Sequence, residues 1–182
     1  INNSVQCIYL AMAYFTDRDI ANAIIESKYR GVFVDVILSS NQQNQNVKSL
    51  FLDAGIKVHS FDTGDARGIM HHKFCLIDNK IVMNGSFNYT YNASTNNVEN
   101  IQVSDNLSTY TQFHDEFERL KYNIDNNLDL NEVNQMTKIE EVLQPMNPVE
   151  TFLKQLNFLV FSSSELDTEV YKKMVMRNQK RI

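Results

Sequence analysis

No window of this chain approaches the roughly 20 consecutive apolar residues that a bilayer-spanning helix requires, and the apolar run at 158–161 is far too short. Insertion into a membrane is therefore not expected. Cysteine is scarce, with only two residues, and Cys7 and Cys75 both sit in apolar, strand-like stretches. They read as small buried hydrophobes rather than as a disulfide. No Cys/His group has zinc-ligand spacing, so neither a metal nor another cofactor is expected. Positive charge is also in short supply: 17 Lys and Arg face 22 Asp and Glu, a net charge of −5. That balance argues against a broadly basic nucleic-acid-binding surface but leaves room for a nuclease whose basic groups line one cleft. There is no internal repeat, so any motif the chain carries is carried once.

At 182 residues the chain can hold one well-buried domain and a small appendage. Apolar stretches at 5–14, 32–38 and 56–61 read as strands. Between them lie two helical patterns. The first is capped by Thr16 or Asp17, carries Ile20, Ala23, Ile24 and Tyr29 on one stripe, and stops at Gly31. The second covers 47–54 and is stopped by Gly55, with a polar Asn/Gln surface loop at 39–46 before it. Strand, helix, strand, helix, strand implies an α/β fold with a mostly parallel sheet and right-handed crossovers. A further strand is expected over 97–103, then a helix over 107–122 whose Tyr110, Phe113, Phe117 and Leu120 face the core.

The stretch 70–89 mixes two classes of residue. Phe74, Leu76 and Ile77, then Ile81, Val82 and Met83, read as a buried hairpin turning at 78–80. Within it stand His71, Lys73, Asp78, Ser86 and Asn88, polar groups that are costly to bury without partners. His71 and Lys73 are two apart and leave the same strand face, whereas His72 points the other way and reads as a packed or surface histidine. Gly85 lets the chain turn, bringing Ser86 and Asn88 back towards that strand end. An ammonium with neutral donors suits a phosphate oxygen, and an imidazole beside it can attack phosphorus or move a proton. The pattern is that of a phosphoryl-transfer site.

His71, Lys73, Asp78, Gly85, Ser86 and Asn88 follow the spacing His-x-Lys-x4-Asp-x6-Gly-Ser-x-Asn. This resembles the signature of the phospholipase D superfamily, with no departure in identity or spacing, over a domain spanning 5–123. The resemblance implies a phospholipase D-like mixed sheet flanked by helices. It also implies a phosphodiesterase that forms a phospho-histidine without a divalent ion. Such enzymes pair two signatures across a pseudo-two-fold axis; with one signature here, the implied assembly is a homodimer through the active-site face. His71 is then nucleophile in one protomer and general acid, then base, in the other. Lys73 and Asn88 hold the non-bridging oxygens, and Ser86 adds a hydroxyl donor. Glu99, in 97–101, resembles the acid that orients the imidazole. Asp78, at the hairpin turn, suits a structural role better than proton transfer. Arg67 is a candidate substrate contact, although a plain surface arginine is the simpler reading.

The leading functional reading is an endonuclease on DNA or RNA, similar to the small single-signature bacterial nucleases of that superfamily. The alternatives are a phospholipid hydrolase or transferase, and a catalytically silent module kept for binding or dimerisation. No basic amphipathic helix favours the lipid reading. From Asn123 the composition shifts, dividing the chain into a catalytic domain at 1–123 and a helical extension at 124–182. Stripes such as Leu130, Val133, Met136, Ile139 and Leu143 suit packing against the domain, a partner protein or a further domain. The basic C-terminus, with Lys172, Lys173 and Arg177, reads as a solvated helix end. Because it starts at Ile1, the chain reads as a fragment or processed product, so the expected cytoplasmic setting leaves export open.

Overall fold

A computed structural model of the chain describes residues 1–63 and 68–128. Arg67 and the expected C-terminal helices lie outside the described residues. Six strands form one mixed sheet: β1 (Cys7–Met12), β2 (Phe33–Ser39), β3 (Lys57–Phe61), β4 (Lys73–Ile77), β5 (Ile81–Gly85) and β6 (Ile101–Ser104), in the order β3-β2-β1-β4-β5-β6. Parallel pairing is confined to β1, β2 and β3; β4, β5 and β6 run antiparallel to their neighbours. The division follows from the connections. Helices α1 (Arg18–Tyr29) and α2 (Gln45–Asp53) carry the chain over between parallel strands, whereas a tight turn joins β4 to β5.

Alternation along the strands gives the sheet two buried faces. Leu10, Met12, Val34, Val36 and Leu38 pack with Ile24 of α1 and with Val47 and Phe51 of α2. Ala11, Ile37, Phe74, Leu76 and Val82 pack on the other face beneath α4 (Leu107–Asp125), through Tyr110, Phe117 and Leu120. Cys7 and Cys75 are both buried and free; burial pushes the Cys75 thiol up to about 12, which makes it an inert packing group. Asp17 caps α1 by accepting from the Asp19 and Ile20 amides. The composition shift at Asn123 does not end α4, which runs on to Asp125.

Two short elements lie outside the helices and strands expected from sequence: a 3-10 turn at Gln42–Asn44, within the expected loop, and α3 at Tyr91–Thr95. The first makes part of the expected surface loop internal. Asn44 is buried, accepts from the Phe15 amide, and donates to the carbonyls of Ala13 and Ser39. One carboxamide thus ties the ends of β1 and β2, and polar composition alone does not reveal that. At the opposite end of the sheet Asp78 and Asn79 both have φ of +54°, as a type I′ hairpin turn requires. The Asp78 carboxylate accepts from the amides of Val5, Gln6 and Cys7, pinning the start of β1 to the hairpin.

Two buried carboxylates fasten α4. Asp35 of β2 accepts from His59 at 2.9 Å and Lys121 at 2.8 Å; Glu116 pairs with His72 at 2.8 Å and forks with Arg119. Burial alone would raise both carboxyls, but the hydrogen bonds from His59 and Lys121, and from His72 and Arg119, outweigh it and hold them below the usual carboxylate range. Their folded values are lower than in the unfolded chain. The stability they contribute is therefore complete above the ordinary carboxylate pKa of about 4 and is lost as pH falls through the folded values. The expected urea midpoint is flat between pH 7 and about 5 and drops steeply below about 4. Asp35→Asn should lower the plateau and flatten the acid limb; an unchanged limb would show that Asp35 does not contribute to it.

Candidate active site

The topology gathers the signature at one end of the sheet. Because β4 is antiparallel to β1, its first residue lies beside the last of β1: Lys73 pairs with Met12, and the Ala13 amide donates to the His72 carbonyl. The hairpin returns β5 to the same end, where Gly85 pairs with Ile101 and leads into Ser86. The site thus stands at the carboxyl ends of the parallel strands, where open α/β sheets place their ligands.

There the Lys73 ammonium donates to His71 Nε2 at 3.1 Å and to the His71 carbonyl at 2.9 Å. Partial burial, then the neighbouring charges of Lys73 and His72, hold the His71 imidazole below its ordinary value, which favours the neutral, basic ring in the single chain. Burial also lowers the Lys73 ammonium, with Glu99 opposing. The Ser86 hydroxyl donates to Glu99 and accepts from the Asn100 amide, while Asn97 donates to Glu99 at 2.9 Å. These donors, Ser86 first, keep the Glu99 carboxyl ionised below its usual range.

Two residues therefore stand differently from their sequence-based expectation. Glu99 does not reach His71; its carboxylate is taken up by Ser86 and Asn97. Ser86 in turn has its hydroxyl proton on Glu99, so in the single chain it positions β6 rather than offering a free donor. Both follow from Gly85, which acts less as a turn than as a gap through which the Asn100 backbone approaches. The Ser86 amide donates to the Asn100 carbonyl and side chain. Asn100 and Asn97 are the partners that sequence reasoning passed over, although they flank the acid it singled out. His72 does face away from His71, and it is clamped rather than merely packed, with Glu116 behind it. Asp78 lies just past the far end of β4, with its carboxylate committed to the Val5, Gln6 and Cys7 amides leading into β1. Beside Asn88 opens a cleft of about 470 Å³, lined by Tyr14, Gln43, Tyr91, Asn92 and Asn97 among others. The Asn88 Oδ1 is buried without a partner among the described residues. No three His, Cys, Asp or Glu residues converge among the described residues, and none of their helices is long and apolar enough to cross a membrane.

Comparison with known proteins agrees with this architecture. Residues 1–121 match the family described as "Cardiolipin synthase, PLD-like domain". A mitochondrial cardiolipin hydrolase of Chlamydomonas reinhardtii is 30% identical over 122 residues, 66% of this chain and 53% of that protein. A phospholipase D of Rickettsia prowazekii is 34% identical over 107 residues, 56% of this chain and 49% of that protein. The chain thus spans about half the length of the curated relatives it matches. Among solved structures, NucT from Helicobacter pylori superposes with a TM-score of 0.60 at 31% identity, covering 66% of this chain and 82% of that one. Nuc, a phospholipase D family member from Salmonella typhimurium, gives 0.60 at 26%, covering 68% and 82%. With its mixed six-stranded sheet, its signature gathered at one sheet end and a family match over most of its length, the chain belongs to the phospholipase D superfamily, whose members are phosphodiesterases.

Proposed function

We propose that this chain is a metal-independent phosphodiesterase acting on DNA or RNA, with the reacting site completed by a second copy of itself. The observation that carries the reading is the Lys73 ammonium 3.1 Å from His71 Nε2. A phosphoryl group entering there draws the Lys73 ammonium onto its non-bridging oxygens, which frees the His71 Nε2 lone pair for its phosphorus. His71 Nε2 attacks phosphorus, forming a P–N bond as the P–O bond to the leaving alcohol breaks. The His71 of a second copy enters protonated and gives that proton to the departing oxygen, so the competent pair holds one neutral and one protonated imidazole. The same ring then takes a proton from water, whose oxygen displaces His71 and restores both imidazoles. Lys73 and the Asn88 carboxamide bind the non-bridging oxygens throughout. Glu99, anchored by Ser86, offsets the charge of Lys73.

The single signature within these 182 residues supports the two-chain site, since a twofold axis sets a residue opposite its own copy. Val98 and Ile101, large apolar side chains exposed beside Glu99, offer surface to such a partner. In this reading residues 124–182 are an appendage for a further domain or partner, Arg67 stays a candidate substrate contact, and the setting is cytoplasmic. Hydrolysis of a phospholipid is the second reading, favoured by the curated relatives named above. A catalytically silent module is disfavoured by the intact polar set, which idle sites need not keep.

The test is turnover of single- and double-stranded DNA and RNA beside cardiolipin vesicles, all in excess chelator. Activity confined to the vesicles would refute the nuclease reading, and a strict need for a divalent ion would refute the mechanism. For the shared site, wild-type protein is mixed and re-equilibrated with His71→Ala protein. Only pure wild-type pairs have both imidazoles, so an equal mixture should retain about a quarter of the activity. A retention of one half would mean that each chain holds a complete site.

A further inference from the structure

We propose that the cleft beside Asn88 is a nucleobase-binding subsite, which holds one base next to the phosphate that His71 attacks. The inference deepens the nucleic-acid reading above and rests on it. The cleft joins the reacting groups through shared residues: Asn88 lines it, and so does Asn97, whose amide donates to Glu99 at 2.9 Å. Its chemistry differs from theirs. Among the residues lining it none is charged; they carry hydroxyls, carboxamides and two phenol rings. A second phosphate or a carboxylate would find no cation there, and an acyl chain would meet hydroxyls and carboxamides set among the apolar surface.

A flat, uncharged group with polar edges meets both features. Of the two lining tyrosines, Tyr91 is 72% exposed and Tyr14 is half-buried. Aromatic rings of this kind stack bases of any identity. Three polar groups await partners. The Asn88 Oδ1 is buried without one, and among the described residues neither the Tyr14 hydroxyl nor the Gln43 carboxamide has a hydrogen-bond partner. A carboxamide can both donate to and accept from a base edge. Asn92, by contrast, is already spent on its neighbours: it donates to Asn97 and accepts from Asn96. It therefore stiffens the wall and does not read the base.

The experiment compares two ligands that differ only in a base: a dinucleoside phosphate, and its analogue with one base replaced by hydrogen. Binding is measured by titration on His71→Ala protein, so that cleavage does not interfere, with and without the added Tyr91→Ala change. The intact ligand should bind about tenfold more tightly than the base-less one to His71→Ala protein, and Tyr91→Ala should bring that ratio close to one. Tyr91 is at the surface, so its replacement does not threaten the fold; Tyr91→Phe should retain the ratio because the ring remains. A ratio near one before Tyr91 is altered, or one that Tyr91→Ala leaves intact, overturns the subsite. Turnover of the intact ligand by wild-type protein is followed separately. Absence of turnover with the binding ratio present would refute the nuclease reading alone; turnover with no ratio would refute the subsite alone.

Discussion

Replacing His71 by alanine is expected to abolish phosphodiester turnover, by roughly four orders of magnitude or more, while leaving the protein folded. The two halves of this expectation have separate causes. The His71 ring is exposed, and among the described residues its one side-chain hydrogen bond is to Lys73, so its loss removes no packing. A change of that kind moves stability by no more than about 0.5 kcal/mol. Chemistry has no such reserve. With both copies altered, neither the nucleophile nor the proton donor remains, and groups that act as one unit cannot substitute for one another. Lys73→Ala should be milder, about 10²- to 10³-fold, because it removes one electrostatic contact and leaves the nucleophile in place. The measurements are initial rates on oligonucleotide in chelator, with circular dichroism melts as the control. Substantial residual activity in His71→Ala protein would remove the covalent mechanism.

Gly85→Ala should damage both stability and turnover, although position 85 presents no side chain to any substrate. A methyl group there would stand 2.1 Å from the Asn100 carbonyl oxygen and 2.9 Å from its carbon. These are backbone atoms, so no side chain can swing aside. The φ of +156° adds a conformation that an L side chain rarely adopts. Relief requires β6 to separate from β5, at a cost of about 2–3 kcal/mol. That shift takes Asn100 from Ser86 and carries Glu99 off the site. Misplacement by about 1 Å can cost 10²-fold in rate, so a loss of that order is expected in protein that still folds. Gly55→Ala is the matched control. Gly55 also has a positive φ, of +71°, but apart from its chain neighbours no atom of the described residues lies within 4 Å of the added methyl. It should lose about 1 kcal/mol and no activity. Equal behaviour of the two variants would show that backbone strain, and not the close approach, is what position 85 guards against.

Much of this molecule could be read without coordinates, for reasons that residue by residue are physical. Alternation and helical periodicity are local, so β1, β2, β3, the hairpin and the covered face of α4 follow from the spacing of Leu10, Val36, Phe74 and Phe117. The pairing of His71 with Lys73 is local too, because strand geometry sets residues two apart on one face. Fixed spacings over 18 residues, from His71 to Asn88, suffice to identify the superfamily.

Contacts between distant segments were beyond such reading. Nothing near Glu99 indicates that its carboxylate would be taken by Ser86 and Asn97 and not by His71; that is decided by how closely β6 approaches at Gly85. Nor does an Asn/Gln-rich loop announce that Asn44 turns inward to tie two strand ends. Tyr14, Gln43 and Tyr91, far apart in sequence, become neighbours only when the strand ends converge. Short-range spacing on a strand or helix is fixed by backbone geometry and is written into the chain. Which long-range partner satisfies a given polar group depends on the packed whole, and only the tertiary structure decides it.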